Sequence, residues 1–186
     1  TKADNRRETH MFVKGNWLDK GIQVSSGVPA SMPPIKIQNS PDRLSMARWL
    51  VSGENPLTAR VTVNRFWAKL FGRGIVETLE VFGSQGASPT HPELLDWLAL
   101  QFQGEFKWGM KSLLKLMVTS STYMQSSTIT SENQDKDPYN YLLARASRIR
   151  LSAEQIRDQS LAVAHLLSKK MYGPSVKPYQ PEGVWQ

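Results

Sequence analysis

The sequence contains no cysteine. That absence excludes disulfides, thiolate metal ligands and cysteine nucleophiles within these residues, and leaves the redox compartment open. Histidine is scarce. His10, His91 and His165 are the only copies, and no two stand at the spacing of helical metal ligands, so no metal site is expected. No apolar run reaches the roughly 18 residues that a spanning helix needs, so no membrane span is expected. The N-terminus lacks the pattern of a secretion signal, and with Thr1 in first place the chain reads as a fragment or a processed product. Phosphate-cradling loops are missing too: Gly72-Arg73-Gly74 and the pair Gly83 and Gly86 match neither the dinucleotide fingerprint nor the P-loop with its lysine. The hydroxyls of Ser120, Ser121, Thr122 and Tyr123 have no glycine-flanked elbow around them. No cofactor is expected within this chain.

What remains is an ordinary globular composition, 40% hydrophobic and 21% charged over 186 residues, enough for one good core. Lysine and arginine number 23 against 16 aspartate and glutamate, a net charge of +7 that favours anionic partners. The excess is spread along the chain, as on a solvated surface. Arg145, Arg148, Arg150 and Arg157 follow Tyr139 and Tyr141 and form the best candidate for a nucleic-acid surface. No recognised nucleic-acid motif accompanies them, so that reading is disfavoured. Glu154 and Asp158 lie one helical turn apart, and Arg150 and Arg157 make an ion-pair lattice their better explanation.

The rest of the chain is organised around residues 55–102. Asn55 as cap, Pro56 at the first helical position and Gly72 as a left-handed stop predict a helix over 56–71. Only Thr58, Thr62, Arg65 and Lys69 form a consistently polar strip on it, so a central position is expected. Arg60 and Asn64 break its apolar side. One reading makes them a structural network that bonds backbone carbonyls, the commoner use of such groups. The other turns them toward a cleft, where the arginine fork suits a carboxylate, sulfate or phosphate. Arg65, His91 and Glu93 complete the candidate polar cluster, with His91 on one reading an acid or base beside Glu93 or Asp96 and on the competing reading part of a helix start.

Ahead of this stretch, Met11-Phe12-Val13 and Ile22-Gln23-Val24 predict short strands around a turn, and the prolines between Pro29 and Pro41 an extended connector. Ser40-Pro41-Asp42 starts a helix whose apolar side is Leu44, Ala47, Trp49, Leu50 and Val51. A helix from about Thr90 to Gly104 buries Leu94, Leu95, Leu98 and Phe102, widened by Trp97. Another runs over 110–123, then comes an exposed loop over 126–137 and a short helix over 139–146. Ser152 with Gln155 forms a capping box for the last helix, whose apolar residues are Ile156, Leu161, Val163, Ala164 and Leu167. The fold expected is mainly α, a compact bundle of five to six helices with a short N-terminal β-hairpin or extended arm. Residues 1–40 form the arm and connector, and 41–186 the helical domain.

The order Gly27-Val28-Pro29-Ala30, Ala47-Arg48-Trp49-Leu50, Asn55-Pro56-Leu57-Thr58-Ala59-Arg60-Val61, Phe71-Gly72-Arg73-Gly74, His91-Pro92-Glu93-Leu94-Leu95-Asp96-Trp97-Leu98, Leu142-Leu143-Ala144-Arg145 and Gly173-Pro174-Ser175-Val176 resembles a planctomycete-specific domain of unknown function, found toward the C-terminus of large cytochrome-associated proteins. The resemblance covers nearly the whole chain. It implies an exported, periplasmic or otherwise extracytoplasmic, multidomain parent with a c-type haem in a separate domain, and a helical domain that continues past Pro181 to Trp185 and is truncated here. It carries over no catalytic residue. The expected function is a non-catalytic interaction or assembly module whose partners are the other domains of the parent and acidic polysaccharide. The alternative is an extracytoplasmic hydrolase or redox-coupled enzyme domain with a polar cleft around Arg60, Asn64 and His91.

Overall fold

The computed structural model describes residues 7–36, 42–179 and 182–183. The Ser40-Pro41 helix start and most of the Pro181 to Trp185 segment lie outside the described residues. The chain divides into two compact units, Thr1–Arg148 and Ile149–Gln186. The expected mainly helical architecture is present: among the described residues there are seven helices, five of them of seven residues or more, and a two-stranded antiparallel hairpin.

In the first unit β1 (Thr9–Phe12) pairs with β2 (Lys20–Val24), Thr9 opposite Val24 and His10 opposite Gln23. The register slips before Phe12 meets Lys20. Gly21 sits at the slip, where a Cβ would stand 2.9 Å from the Met11 carbonyl oxygen, so only glycine lets the strands approach this closely. A tight turn at Val13–Gly15 reverses the chain, with Lys14 at φ 48° and Gly15 at φ 78°. In the connector that follows, the Pro33 carbonyl accepts a 2.7 Å hydrogen bond from Trp49 Nε1. Helix α1 (Arg43–Leu50) is capped by Asp42, whose carboxylate accepts from the Ser45 N–H at 2.7 Å. Its apolar side is less buried than the sequence predicts. Trp49 is buried, but Leu44, Leu50 and Val51 are exposed, because among the described residues no other long helix packs over them with more than marginal contact.

Helix α2 (Thr58–Phe71) is central, as its girth predicts, and packs on α3 (Pro92–Gln103) and α4 (Met110–Val118). It starts two residues later than predicted. The Asn55 carboxamide oxygen accepts from the N–H groups of both Leu57 and Thr58, at 3.0 and 3.2 Å, which fixes Pro56 and Leu57 as a capping turn rather than a helical one. The stop is as predicted, with Gly72 left-handed at φ 79°. Ala59, Val63, Trp67 and Phe71, four residues apart, form the buried stripe, with Trp67 and Phe71 stacked at 4.0 Å between ring centroids. From α3 come Leu95, Leu98, Ala99 and Phe102, and from α4 Leu113 and Met117. Each large side chain so buried contributes about 2 kcal/mol by transfer from water. Ile75 and Val76, just past the helix, close the core from the side. Trp97, expected to widen the buried stripe of α3, is 47% exposed: it sits two positions after Leu95, across the helix from the seam.

The helix predicted over 110–123 is broken. The Thr119 hydroxyl donates to the Lys115 carbonyl and that of Ser120 to the Met117 carbonyl, and Ser120 then caps the short α5 (Ser121–Met124) by accepting from the Tyr123 N–H. Side chains that bond the preceding turn compete with its continuation. The predicted exposed loop contains α6 (Ser131–Lys136), capped by Thr130 through the Asn133 N–H and tied across one turn by Lys136 to Glu132 at 2.7 Å. The short helix predicted over 139–146 is absent; turns replace it.

The second unit holds α7 (Ala153–Val163), where both bonds of the Ser152–Gln155 capping box are made. None of its residues is buried, and Val163 is 76% exposed.

Candidate functional site

Two polar assemblies lie in the first unit. The one that the sequence singles out is built on α2. Asn64 is wholly buried, and its carboxamide pairs with the backbone of Val76 in both directions: Nδ2 donates to the carbonyl, and the Val76 N–H donates to Oδ1, each at 2.9 Å. Both polar groups of a buried peptide are thereby satisfied. Arg60, one turn earlier, donates from Nε to Asp96 of α3 at 2.6 Å and from Nη1 to the Pro56 carbonyl. The hydrogen bond to Asp96 raises the Arg60 pKa against the opposing effect of burial, and the same bond holds the Asp96 carboxyl below its usual range. Arg65 turns outward to Glu80 at 3.0 Å. His91, half-buried at the start of α3, places Nδ1 3.0 Å from the Thr90 hydroxyl, and Thr90 in turn bonds the Ile75 carbonyl. Glu93 is exposed in the first turn of α3, where its charge favours the positive end of the helix dipole. Among the described residues no hydrogen bond or ion pair joins two of these five side chains; Arg60, Asn64, Arg65 and His91 each bond a different neighbour.

The second assembly replaces the helix predicted over 139–146. Asp137 is buried, and its two carboxylate oxygens accept from the N–H groups of Tyr141 and Leu142 at 2.8 and 2.7 Å. Asn140, left-handed at φ 55°, brackets Arg145: its Nδ2 donates to the Arg145 carbonyl and its Oδ1 accepts from the Arg145 N–H. The Arg145 guanidinium, also buried, donates to the carbonyls of Asp137 and Pro138 at 3.1 and 2.8 Å. Leu143, left-handed at φ 57°, has its carbonyl held by Gln125 Nε2 at 2.7 Å. Burial pushes the Asp137 carboxyl up, but the two N–H bonds from Leu142 and Tyr141 and the charges of Arg145 and Arg73 more than offset it and leave its pKa lowered. Arg73 reaches this loop from the end of α2: its guanidinium lies 4.3 Å over the Tyr141 ring, and Nη1 donates to the Tyr139 carbonyl at 3.4 Å.

The sequence pointed to Arg60 and Asn64 from their position on an apolar helix. It missed Asp96 and Val76 as their partners, and it placed Arg145 on a basic surface, whereas that guanidinium is turned inward onto carbonyls of its own loop. Asp137, Asn140 and Arg145 left one signal, the turn-forming habit of Asp and Asn around a proline.

Helices α2, α3 and α4 around one core, with polar side chains pinning the loops between them, define a mainly helical domain. The family described as PSD1, protein of unknown function (DUF1553), matches residues 42–186, and the chain belongs to it. The hairpin precedes the matched residues. No curated protein and no solved structure matches the chain.

Proposed function

We propose that this domain is a non-catalytic interaction and assembly module of an exported, multidomain protein of the planctomycete type, whose haem and chemistry belong to neighbouring domains, and that acidic polysaccharide is its ligand outside the cell. One contrast carries the reading. The buried polar groups of Asn64 and Arg145 are bonded to main-chain atoms of this chain, while large apolar side chains of the hairpin stand in solvent: Met11 is 58% exposed, Trp17 70%, Leu18 71% and Ile22 67%. A two-stranded hairpin is marginal by itself in water, and such an apolar surface is the kind that a neighbouring domain covers. The net charge of +7 supports an anionic ligand.

The test is a thermal-shift panel at low ionic strength with carboxylated and sulfated glycans, nucleotides and divalent metals, on wild type and Arg60→Ala. Acidic glycans should stabilise both proteins, by about 2.7 kcal/mol at 100 times the dissociation constant. Absence of any glycan shift removes the polysaccharide ligand. A nucleotide that stabilises wild type but not Arg60→Ala replaces the module with the enzyme reading, in which Arg60 and His91 face a substrate cleft and the buried Asn64 supports it from the core.

A further inference from the structure

The loop between α6 and α7 is more tightly built than its surface position calls for. Asp137, Asn140 and Arg145 fix it through bonds to its own main chain, at the expense of burying a carboxylate and a guanidinium and holding Asn140 and Leu143 in left-handed conformations. Backbone strain of that kind in residues other than glycine persists where surrounding contacts over-determine it, and it gathers at binding and switch regions. What this loop displays outward is two aromatic rings and an aliphatic side chain: Tyr139 is 70% exposed, Tyr141 39% and Leu142 70%, with the rings 6.0 Å apart and inclined at 63°. Beside them stands the Arg73 guanidinium, with its side chain 34% exposed.

We infer that Tyr139, Tyr141 and Arg73 form a subsite for one sugar unit of an acidic polysaccharide, an inference that rests on the polysaccharide part of the proposed function. The ring faces of tyrosine are negative, and the C–H groups on the flat side of a pyranose are weakly positive, so a sugar ring packs on Tyr139 without displacing any bond of the loop. The guanidinium fork meets the carboxylate of a uronic acid. Rigid aromatic side chains lose little entropy on binding, and the pinned backbone holds them in place beforehand. The charge pattern favours a sugar over a nucleic acid. A phosphate backbone calls for a row of cations, whereas the nearby Arg145 is turned inward onto carbonyls of its own loop; the single uronate carboxylate takes the place of Glu77, which lies 3.6 Å from Arg73.

Isothermal titration at low ionic strength tests this with three probes: an oligogalacturonate, its uncharged galactose counterpart and a thymidine oligonucleotide. Oligogalacturonate should bind best, and Tyr139→Ala and Arg73→Ala should each weaken it about tenfold, as loss of one charge-assisted contact or one packed ring does. Tyr139→Phe, which keeps the ring face, should bind as wild type does. Tyr139 is exposed enough for its substitution to leave the fold intact, which an unchanged melting curve verifies. Binding of oligogalacturonate at full strength by both alanine variants overturns the subsite and leaves the polysaccharide reading standing. Failure of wild type to bind it overturns the uronate subsite, and the polysaccharide reading falls with it only when the sulfated glycans of the thermal-shift panel fail as well. Tighter binding of the oligonucleotide, lost in the same variants, overturns the sugar in favour of nucleic acid.

Discussion

Asn64 and Val76 exchange two hydrogen bonds across the reversal that follows α2, so a side-chain carboxamide gives Val76 what a neighbouring strand would otherwise supply. Asn64 has no exposed surface, and water has no route to replace those bonds. The chain that leaves α2 at Gly72 is thereby fastened back onto the helix it came from, with Ile75 and Val76 pressed into the core.

Asn64→Ala should lower unfolding stability by about 3 kcal/mol, the sum of a small cavity and two unpaired buried backbone groups. Denaturant titration would show a shifted midpoint at unchanged slope. A loss under about 0.5 kcal/mol, the level of an ordinary surface change, contradicts the role assigned to this pair.

Gly74 is coupled to the same lock. A Cβ there would lie 2.8 Å from both heteroatoms of the Asn64 carboxamide, with the Val76 carbonyl closer still, so Gly74→Ala should cost about 2 kcal/mol through overpacking. Removing the carboxamide relieves part of the clash. The double variant Asn64→Ala with Gly74→Ala should therefore lose less than the two single losses combined, and simple additivity would speak against the contact.

Arg60 and Asp96 leave 33% and 51% of their side chains exposed, so water screens their ion pair. A double-mutant cycle with alanine at each position should give a coupling of about 0.5 kcal/mol. A coupling above about 2 kcal/mol, outside the range of exposed pairs, would mean that this pair anchors α2 to α3 far more firmly than its setting indicates.

Asp137 sets a pH dependence. Its pKa is lower in the folded protein than the ordinary value of about 3.9, so the carboxylate contributes stability in full above that value, and the contribution is lost as pH falls through the native value. Asp137→Asn should be less stable than wild type by a constant margin from about pH 8 to about pH 5, and the margin should shrink below about pH 4. Melting temperatures of both proteins across that range measure it. A margin that widens on acidification would reverse the sign and refute the assignment.

The helices that carry capping residues and a regular apolar stripe were legible in the sequence. Asp42, Gly72 and Ser152 mark their ends, and Leu95, Leu98 and Phe102 fall on the buried face of α3. Residues 137–145 were not, because Asp-Pro opens a helix and a turn with the same letters; the left-handed turns at Asn140 and Leu143 and carbonyl partners within the loop decide between them. Ser120 shows the same ambiguity on a smaller scale, since a serine inside a periodic stretch reads as an exposed helical position until its hydroxyl is seen to cap the next turn. In the polar cluster, the unusual placement of Asn64 was visible, but its partner is backbone, and backbone leaves no letter in the sequence.

Four of the six tryptophans form two optical classes. Trp17 at the hairpin tip and Trp97 on the outer side of α3 are open to solvent, while Trp49 and Trp67 are buried. A collisional quencher reaches the first pair in the native protein and the second only when the core opens. Loss of quenching in the exposed pair therefore reports covering of the hairpin tip or of the outer side of α3, and gain of quenching in the buried pair reports unpacking of the helices, without any label attached.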